Sequence, residues 1–196
     1  MDRYLASSEL IDWDSPAVRS KAAELADGAA DVLAIVNACF LFVRDEIRHS
    51  WDYGLNPITC AASDVLEHRT GFCYAKSHLL AALLRANGVP TGLCYQRLTI
   101  ENEEPPFSLH GLNAVHLEGI GWYRLDPRGN KPGIRAEFCP PVEKLAFRVV
   151  APGELDLPEV WPEPLELVTN VLRRWSTYQE VAAHLPDIDL IGSAHR

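Results

Sequence analysis

The sequence predicts an α+β domain from three observations. Apolar residues recur at helical spacing through the first half of the chain. The period becomes strand-like after Pro90, and helical spacing returns near the C-terminus. A chain of 196 residues is expected to form one domain. A chain this long buries roughly 70% of the surface its unfolded form exposes, so it needs no disulfide or metal to fold. The expected division is a core over about 44–129 and a Pro-rich, helical extension over 130–196.

The elements follow in order. "DSPAVRSKAAELADG" opens with Ser15 as a cap and Pro16 at the first helical position, and Gly28 follows its end. "DVLAIVNACFLFVRDEIRHS" reads as one longer, mostly apolar helix, therefore central, that turns polar at Arg44 to Arg48. "WDYGLNPIT" reads as a loop, and "SDVLEHRTG" as a short helix capped by Ser63 and ended by Gly71. Next, "GFCYAKSHLLAALLRANGVP" predicts a helix to about Asn87, with Leu80, Leu83, Leu84 and Asn87 at helical spacing and a stop at Gly88 and Pro90. "TGLCYQRLTI" is strand-like, "ENEEPPFSL" an acidic loop, and "HGLNAVHLEGIGWYRLDPRGN" a hairpin turning at Gly119 and Gly121. Eight of the fourteen prolines fall between Pro127 and Pro164, a density that excludes a regular helix or central strand and predicts surface wrapping. Two late helices, "PLELVTNVLRRW" and "TYQEVAAHL", close the chain.

Composition narrows the function classes. The net charge is −9 and no run of Lys or Arg occurs, which argues against nucleic acid or an anionic membrane surface as partner. The cysteines, Cys39, Cys60, Cys73, Cys94 and Cys139, are odd in number, scattered and without a CxxC pair, as expected of reduced thiols in a cytoplasmic protein. The N-terminus lacks the pattern of a signal peptide, and the most apolar stretch, Val32 to Val43, is too short to span a bilayer.

One cysteine stands apart. Cys73 falls where a turn becomes a helix. There the unpaired N–H groups and the positive end of the helix dipole favour a thiolate, and the same N–H groups can bind an oxyanion. The plain alternative is a half-buried structural cysteine. A nucleophile needs a base and the base an orienter. His110 opens one hairpin strand and Asp126 closes the next. A two-residue loop at Gly119–Ile120 would set Asp126 opposite Asn113, on the wrong face. A three-residue loop at Glu118–Ile120 sets it opposite Leu112, one step along the face that carries His110. The catalytic reading therefore requires an odd-length loop or a bulge here, and a simple two-residue hairpin without a bulge excludes it.

Other residues compete for roles. His116 is a rival base on the same face, more simply read as a packing or surface histidine. His49 and His68 could also approach the site through the fold, although spacing says nothing of it, and His78 is expected on the helix surface. Lys76 and Ser77 are expected either exposed or lining a cleft, and no phosphate-binding Gly-rich loop surrounds them. Cys60, His68, Cys73 and His78 could be arranged as a Cys₂His₂ metal set, but their spacings lack the short pairs of a zinc site.

Together, Gly71, Cys73, Leu83-Leu84-Arg85, Gly88-Val89-Pro90, His110, Gly121-Trp122 and Asp126-Pro127 resemble the motif of the transglutaminase-like superfamily of papain-related cysteine enzymes, in the manner of its small bacterial members. The resemblance covers about 44–129. It implies a papain-like core of helices on an antiparallel sheet, with Cys73 as nucleophile, His110 as base and then acid, and Asp126 as orienter. It also implies acyl transfer through a thioester without cofactor or metal, on a peptide, protein or small amide. Water as acceptor makes a peptidase or amidase; an amine makes a transglutaminase; a binding module without turnover is the alternative of another class. The chain departs from the family pattern at Gly111-Leu112, where Ala-Trp is common, and at Ala114, where an acidic residue is frequent. The second oxyanion donor is sought near Trp51 and Asn56, and a roof over the cleft near Trp161.

Overall fold

The computed structural model describes residues 1–101 and 104–188. Asn102 and Glu103, inside the expected acidic loop, and residues 189–196 of the extension lie outside them.

The N-terminal half is helical. α1 (Pro16–Ala26) begins as expected, although the Ser15 hydroxyl makes no capping bond. α2 (Val32–Leu41) is capped by Asp31, whose carboxylate accepts from the Ala34 N–H at 2.8 Å. The long helix expected to follow is interrupted. α2 widens into a π-helical turn, Phe42–Glu46, and Ile47 is extended. The Lys76 ammonium explains the break, since it donates to the carbonyls of Arg44 and Ile47. Those carbonyls would otherwise serve a continuing helix. The chain then forms β1 (Arg48–His49) and a single helical turn, α3 (Ser50–Tyr53), where a loop was expected.

α4 (Ala62–His68) starts one residue before Ser63: Ala61 is the cap position and its N–H is met by Asp64 at 3.3 Å. Arg69, with φ of 55°, ends it, and Gly71 belongs instead to β2 (Thr70–Gly71). β1 and β2 pair in parallel, setting His49 beside Gly71.

α5 (Cys73–Ala86) is the centre of the molecule. It is buried from Cys73 to Arg85, packed against α1, α2 and α4 and against β3 and β4. Leu79, Leu80, Leu83 and Leu84 are wholly buried, each contributing about 1.5–3 kcal/mol. Arg85 stays inside because its guanidinium meets the carbonyls of Thr91, Ala6 and Pro162. It thereby ties the start of the next strand and two distant segments to the helix end.

The sheet has the antiparallel order β5-β4-β3-β8, with β3 (Thr91–Glu101), β4 (Glu104–Leu117), β5 (Gly121–Leu125) and β8 (Leu155–Asp156). The expected loop at "ENEEPPFSL" is largely strand, since pairing with β3 persists through Leu98↔Ser108 and Thr99↔Phe107. Pro105 and Pro106, which lack an N–H, fall where the register slips between Thr99 and Glu101. Odd-numbered β4 residues, among them Leu109, Val115 and Leu117, join the core around α5. Leu112 and Ala114 belong to a smaller cluster with Cys94.

Beyond Pro127 the chain wraps as expected. It contributes a small hairpin of β6 (Glu137–Cys139) and β7 (Val142–Lys144), then β8. α6 (Glu166–Arg174) and α7 (Tyr178–Ala183) follow, and Val168, Leu172 and Val181 enter the core. Among the described residues no helix is long and apolar enough to cross a membrane.

Candidate active site

α5 opens on Cys73, with Phe72 as its cap residue. The first-turn N–H groups of a helix have no partner within it, so they are available where Cys73 stands. The Gly111 N–H donates to Cys73 Sγ at 3.5 Å, which pins the thiol to β4 one residue past His110. Close approach is built in here. A Cβ on Gly111 would come 2.9 Å from Tyr74 Cδ1 and 3.1 Å from Tyr74 Cα. That crowding accounts for glycine at the position where alanine is common in the family: the Tyr74 side chain, tied by its hydroxyl to the Leu109 carbonyl, occupies the space.

The hairpin after β4 has the three-residue loop, Glu118–Ile120, with Leu117 paired to Gly121 and Asn113 to Leu125. Asp126 therefore follows on the His110 face, and its Oδ2 lies 2.7 Å from His110 Nε2. Asp126 is wholly buried. Its other bonds come from the backbone N–H groups of Arg128, at 3.0 Å, and Ala146, at 3.1 Å. Burial alone would raise its pKa; the positive charge and ring N–H of His110 and these two N–H groups hold it below the usual carboxylate range. Burial alone would lower His110. The Asp126 carboxylate and the neighbouring charge of Cys73 reverse that, and its pKa is pushed up to about 10. With Nε2 committed to Asp126, Nδ1 is the ring nitrogen left for a thiol.

Cys73 and His110 line one cleft of about 390 Å³. Leu98, Ile100, Ser108 and Leu109 from β3 and β4 form one wall; His49, Trp51, Asp52, Arg128, Lys131 and Ile134 form another. Trp51 is thus at the site, whereas Asn56 is not: its side-chain oxygen accepts from the Tyr178 N–H at 2.8 Å. Nor does Trp161 roof the cleft. It bridges to Leu93 beside the sheet. Phe147, from the same Pro-rich stretch, stands edge-on to the His110 ring with centroids 4.9 Å apart.

His116 packs edge-on against Trp122, away from the cleft. His78 is fully buried rather than on the helix surface, because its Nδ1 meets the Cys60 carbonyl at 2.7 Å. Burial pushes its pKa down to about 4, so it is held neutral. Lys76 and Ser77 are also buried, and neither lines the cleft: Lys76 ties down carbonyls, and Ser77 donates to the Cys73 carbonyl at 2.8 Å. Among the described residues no group of three or more His, Cys, Asp or Glu is placed to hold a metal.

Sequence reasoning left His49 open and missed Asp52 and Arg128. His49 reaches the cleft only through the β1–β2 pairing, a contact between segments more than twenty residues apart that leaves no local signal. Burial, and then the charge of Arg128, press its pKa well below the usual value, so the ring is neutral. Asp52 accepts both guanidinium nitrogens of Arg128, at 2.8 and 3.1 Å, and the Lys131 ammonium at 2.6 Å. Burial would raise its pKa, but Lys131 and Arg128 more than offset that and keep it charged.

A helix that opens on a cysteine and packs on an antiparallel sheet carrying histidine is the arrangement of the papain-like fold class. Within that class the model of the transglutaminase-like superfamily matches residues 19–127, more than half of the chain, and the chain belongs to that superfamily. Its members are generally cysteine-dependent enzymes. Among solved structures, the chain is similar to a candidate cysteine protease from Cytophaga hutchinsonii, at 20% identity and a TM-score of 0.53, over 64% of this chain and 40% of that one. It is also similar to the periplasmic domain of TgpA from Pseudomonas aeruginosa, at 24% identity and a TM-score of 0.47, over 63% and 45% of the two chains. The matched part thus spans less than half of either structure. No curated protein matches the sequence.

Proposed function

We propose that this chain is a cysteine-dependent acyl-transfer enzyme, a peptidase or amidase, with Cys73, His110 and Asp126 as its catalytic residues. The observation that carries the reading is the His110 Nε2–Asp126 Oδ2 bond of 2.7 Å beside a cysteine at a helix start. In this reading the Cys73 thiolate attacks an amide carbonyl, and the developing oxyanion is met by the first-turn N–H groups of α5. The His110 imidazolium, held by Asp126, protonates the departing amine, leaving a thioester. Water, activated by the now neutral His110, attacks the thioester carbonyl and releases the acid and the thiolate.

Substrates of this kind are peptides, proteins or small amides. The five thiols are all free, which fits a reducing compartment, and a cytoplasmic location is part of the proposal. A panel of amides and esters tests it, with turnover by wild type compared with Cys73→Ala. The expected result is turnover of at least one panel member by wild type and its loss in the variant. Equal turnover by the two proteins would refute the mechanism.

A further inference from the structure

The wall of the cleft formed by α3 and the stretch after β5 carries a charge imbalance. Arg128 and Lys131 both lean on a single carboxylate, Asp52, and the third polar neighbour, His49, is a neutral ring. His49 is 5% exposed, and among the described residues its Nδ1 has no hydrogen-bond partner; the Asp52 oxygen facing it is 3.7 Å away, beyond bonding distance. The same residues continue into a second cavity of about 260 Å³, where Arg48 adds a further cation; Lys76 also lines it, but burial lowers its pKa to about 7 and its nitrogen serves the carbonyls of Arg44 and Ile47. Its other carboxylate, Asp45, is already held by Arg44 through two contacts of 2.7 Å. Elsewhere the molecule is acidic, with a net charge of −9. A basic pocket beside the thiol of an acidic protein concentrates anions at that place. The facing wall, Leu98, Ile100 and Leu109, supplies apolar surface.

We propose that this wall is an anion subsite, and that the acyl donor this enzyme takes carries a carboxylate near its scissile carbonyl, received by Lys131 and Arg128. The inference rests on the acyl-transfer reading and adds the substrate class to it. An acidic side chain or a C-terminal carboxylate on a peptide meets the description. Asp52 takes up the Arg128 fork through both terminal nitrogens, which fixes the guanidinium in the wall as a positive charge, while the Lys131 ammonium meets Asp52 through a single contact on a flexible stem. Lys131 is the partner free to turn toward a ligand, since its side chain is 41% exposed.

The test uses mono-4-nitrophenyl glutarate and its methyl ester, which share the acyl chain and differ in the charge at its far end. In each case the thiolate attacks the aryl ester carbonyl, the carbon–oxygen bond breaks, 4-nitrophenolate departs and a thioester forms; the free carboxylate of the first ester also expels 4-nitrophenolate by closing to the cyclic anhydride, so the release seen with Cys73→Ala is subtracted for both. The burst of 4-nitrophenolate reports the acylation rate. The anionic ester is expected to acylate wild type about fivefold faster than the methyl ester, and the ratio to fall as salt is raised. Lys131→Glu should bring the ratio to one or below. A wild-type ratio at or below one, or a ratio unmoved by Lys131→Glu, overturns the subsite. A wild type acylated by neither ester overturns the acyl-transfer reading itself.

Discussion

Three of the five thiols are silenced by their surroundings. Burial pushes Cys39 and Cys94 up to about 12 and Cys60 up to about 11, so at neutral pH they are protonated and enclosed. Cys139 lies half-buried in the small hairpin of the tail, and Cys73 shares a cleft with the His110 imidazole. The histidine owes its charge to Asp126. Replacing Asp126 with Asn removes the carboxylate that supports the imidazolium, and kcat is expected to fall by about a hundredfold or more. The two residues also shape the pH dependence of folding. His110 is raised from 6.5 to about 10, so its stabilisation is complete below 6.5 and lost as pH climbs through about 10. Asp126 is lowered from 3.8, so its contribution is present above 3.8 and lost as pH falls through the lower folded value. Urea unfolding across pH should show the alkaline decline in wild type and a flatter profile in Asp126→Asn. A wild-type midpoint rising from pH 7 to 10 would contradict the assignment.

The elements were unequally legible. Leucines at helical spacing and the Gly88-Val89-Pro90 stop located α5, but its burial is continuous from Cys73 to Arg85 rather than periodic, which is why Lys76, Ser77 and His78 lie inside instead of on an exposed face. The hairpin was legible in kind, but its face depended on one residue of loop length. The structure has the three-residue loop, with Gly119 at φ 76° and Gly121 at φ 87° supplying conformations that other residues rarely adopt. Tertiary contacts overrode the local pattern elsewhere. Lys76 cut the long helix at Ile47, and β3 drew the Pro-containing stretch into the sheet. The contact between α5 and β4 is where packing and chemistry meet, and it makes a prediction. Gly111→Ala forces a Cβ against the Tyr74 backbone and ring, pushing β4 away from Cys73. The expected cost is about 1–3 kcal/mol of stability, as for other overpacked sites. Activity should fall further than that loss explains, because His110 moves with the strand. Denaturation and steady-state rates on the same preparation separate the two effects.

At the scale of the molecule, the superfamily match ends at 127, yet the site does not. The Ala146 N–H completes the Asp126 carboxylate, Phe147 covers His110, and Lys131 and Ile134 finish the cleft. The sequence showed that this Pro-rich stretch wraps; it held no sign of which residue covers the histidine, since Phe147 has no periodic or motif signature. Val168, Leu172 and Val181 then seal the core around α5. Each buried side chain of this kind contributes about 1.5–3 kcal/mol, against a total stability of about 5–15 kcal/mol for a domain. A chain truncated after Gly129 is therefore expected to lose cooperative unfolding, which circular dichroism during thermal denaturation would reveal.

The central claim is that one thiol among five becomes acylated. Intact-mass and peptide-mass measurement during the 4-nitrophenyl ester burst tests it directly. The account predicts one acyl group per chain, on Cys73, and its loss in His110→Ala at the same pH. An acyl group on Cys139, or acylation of Cys73 unchanged by His110→Ala, would contradict it.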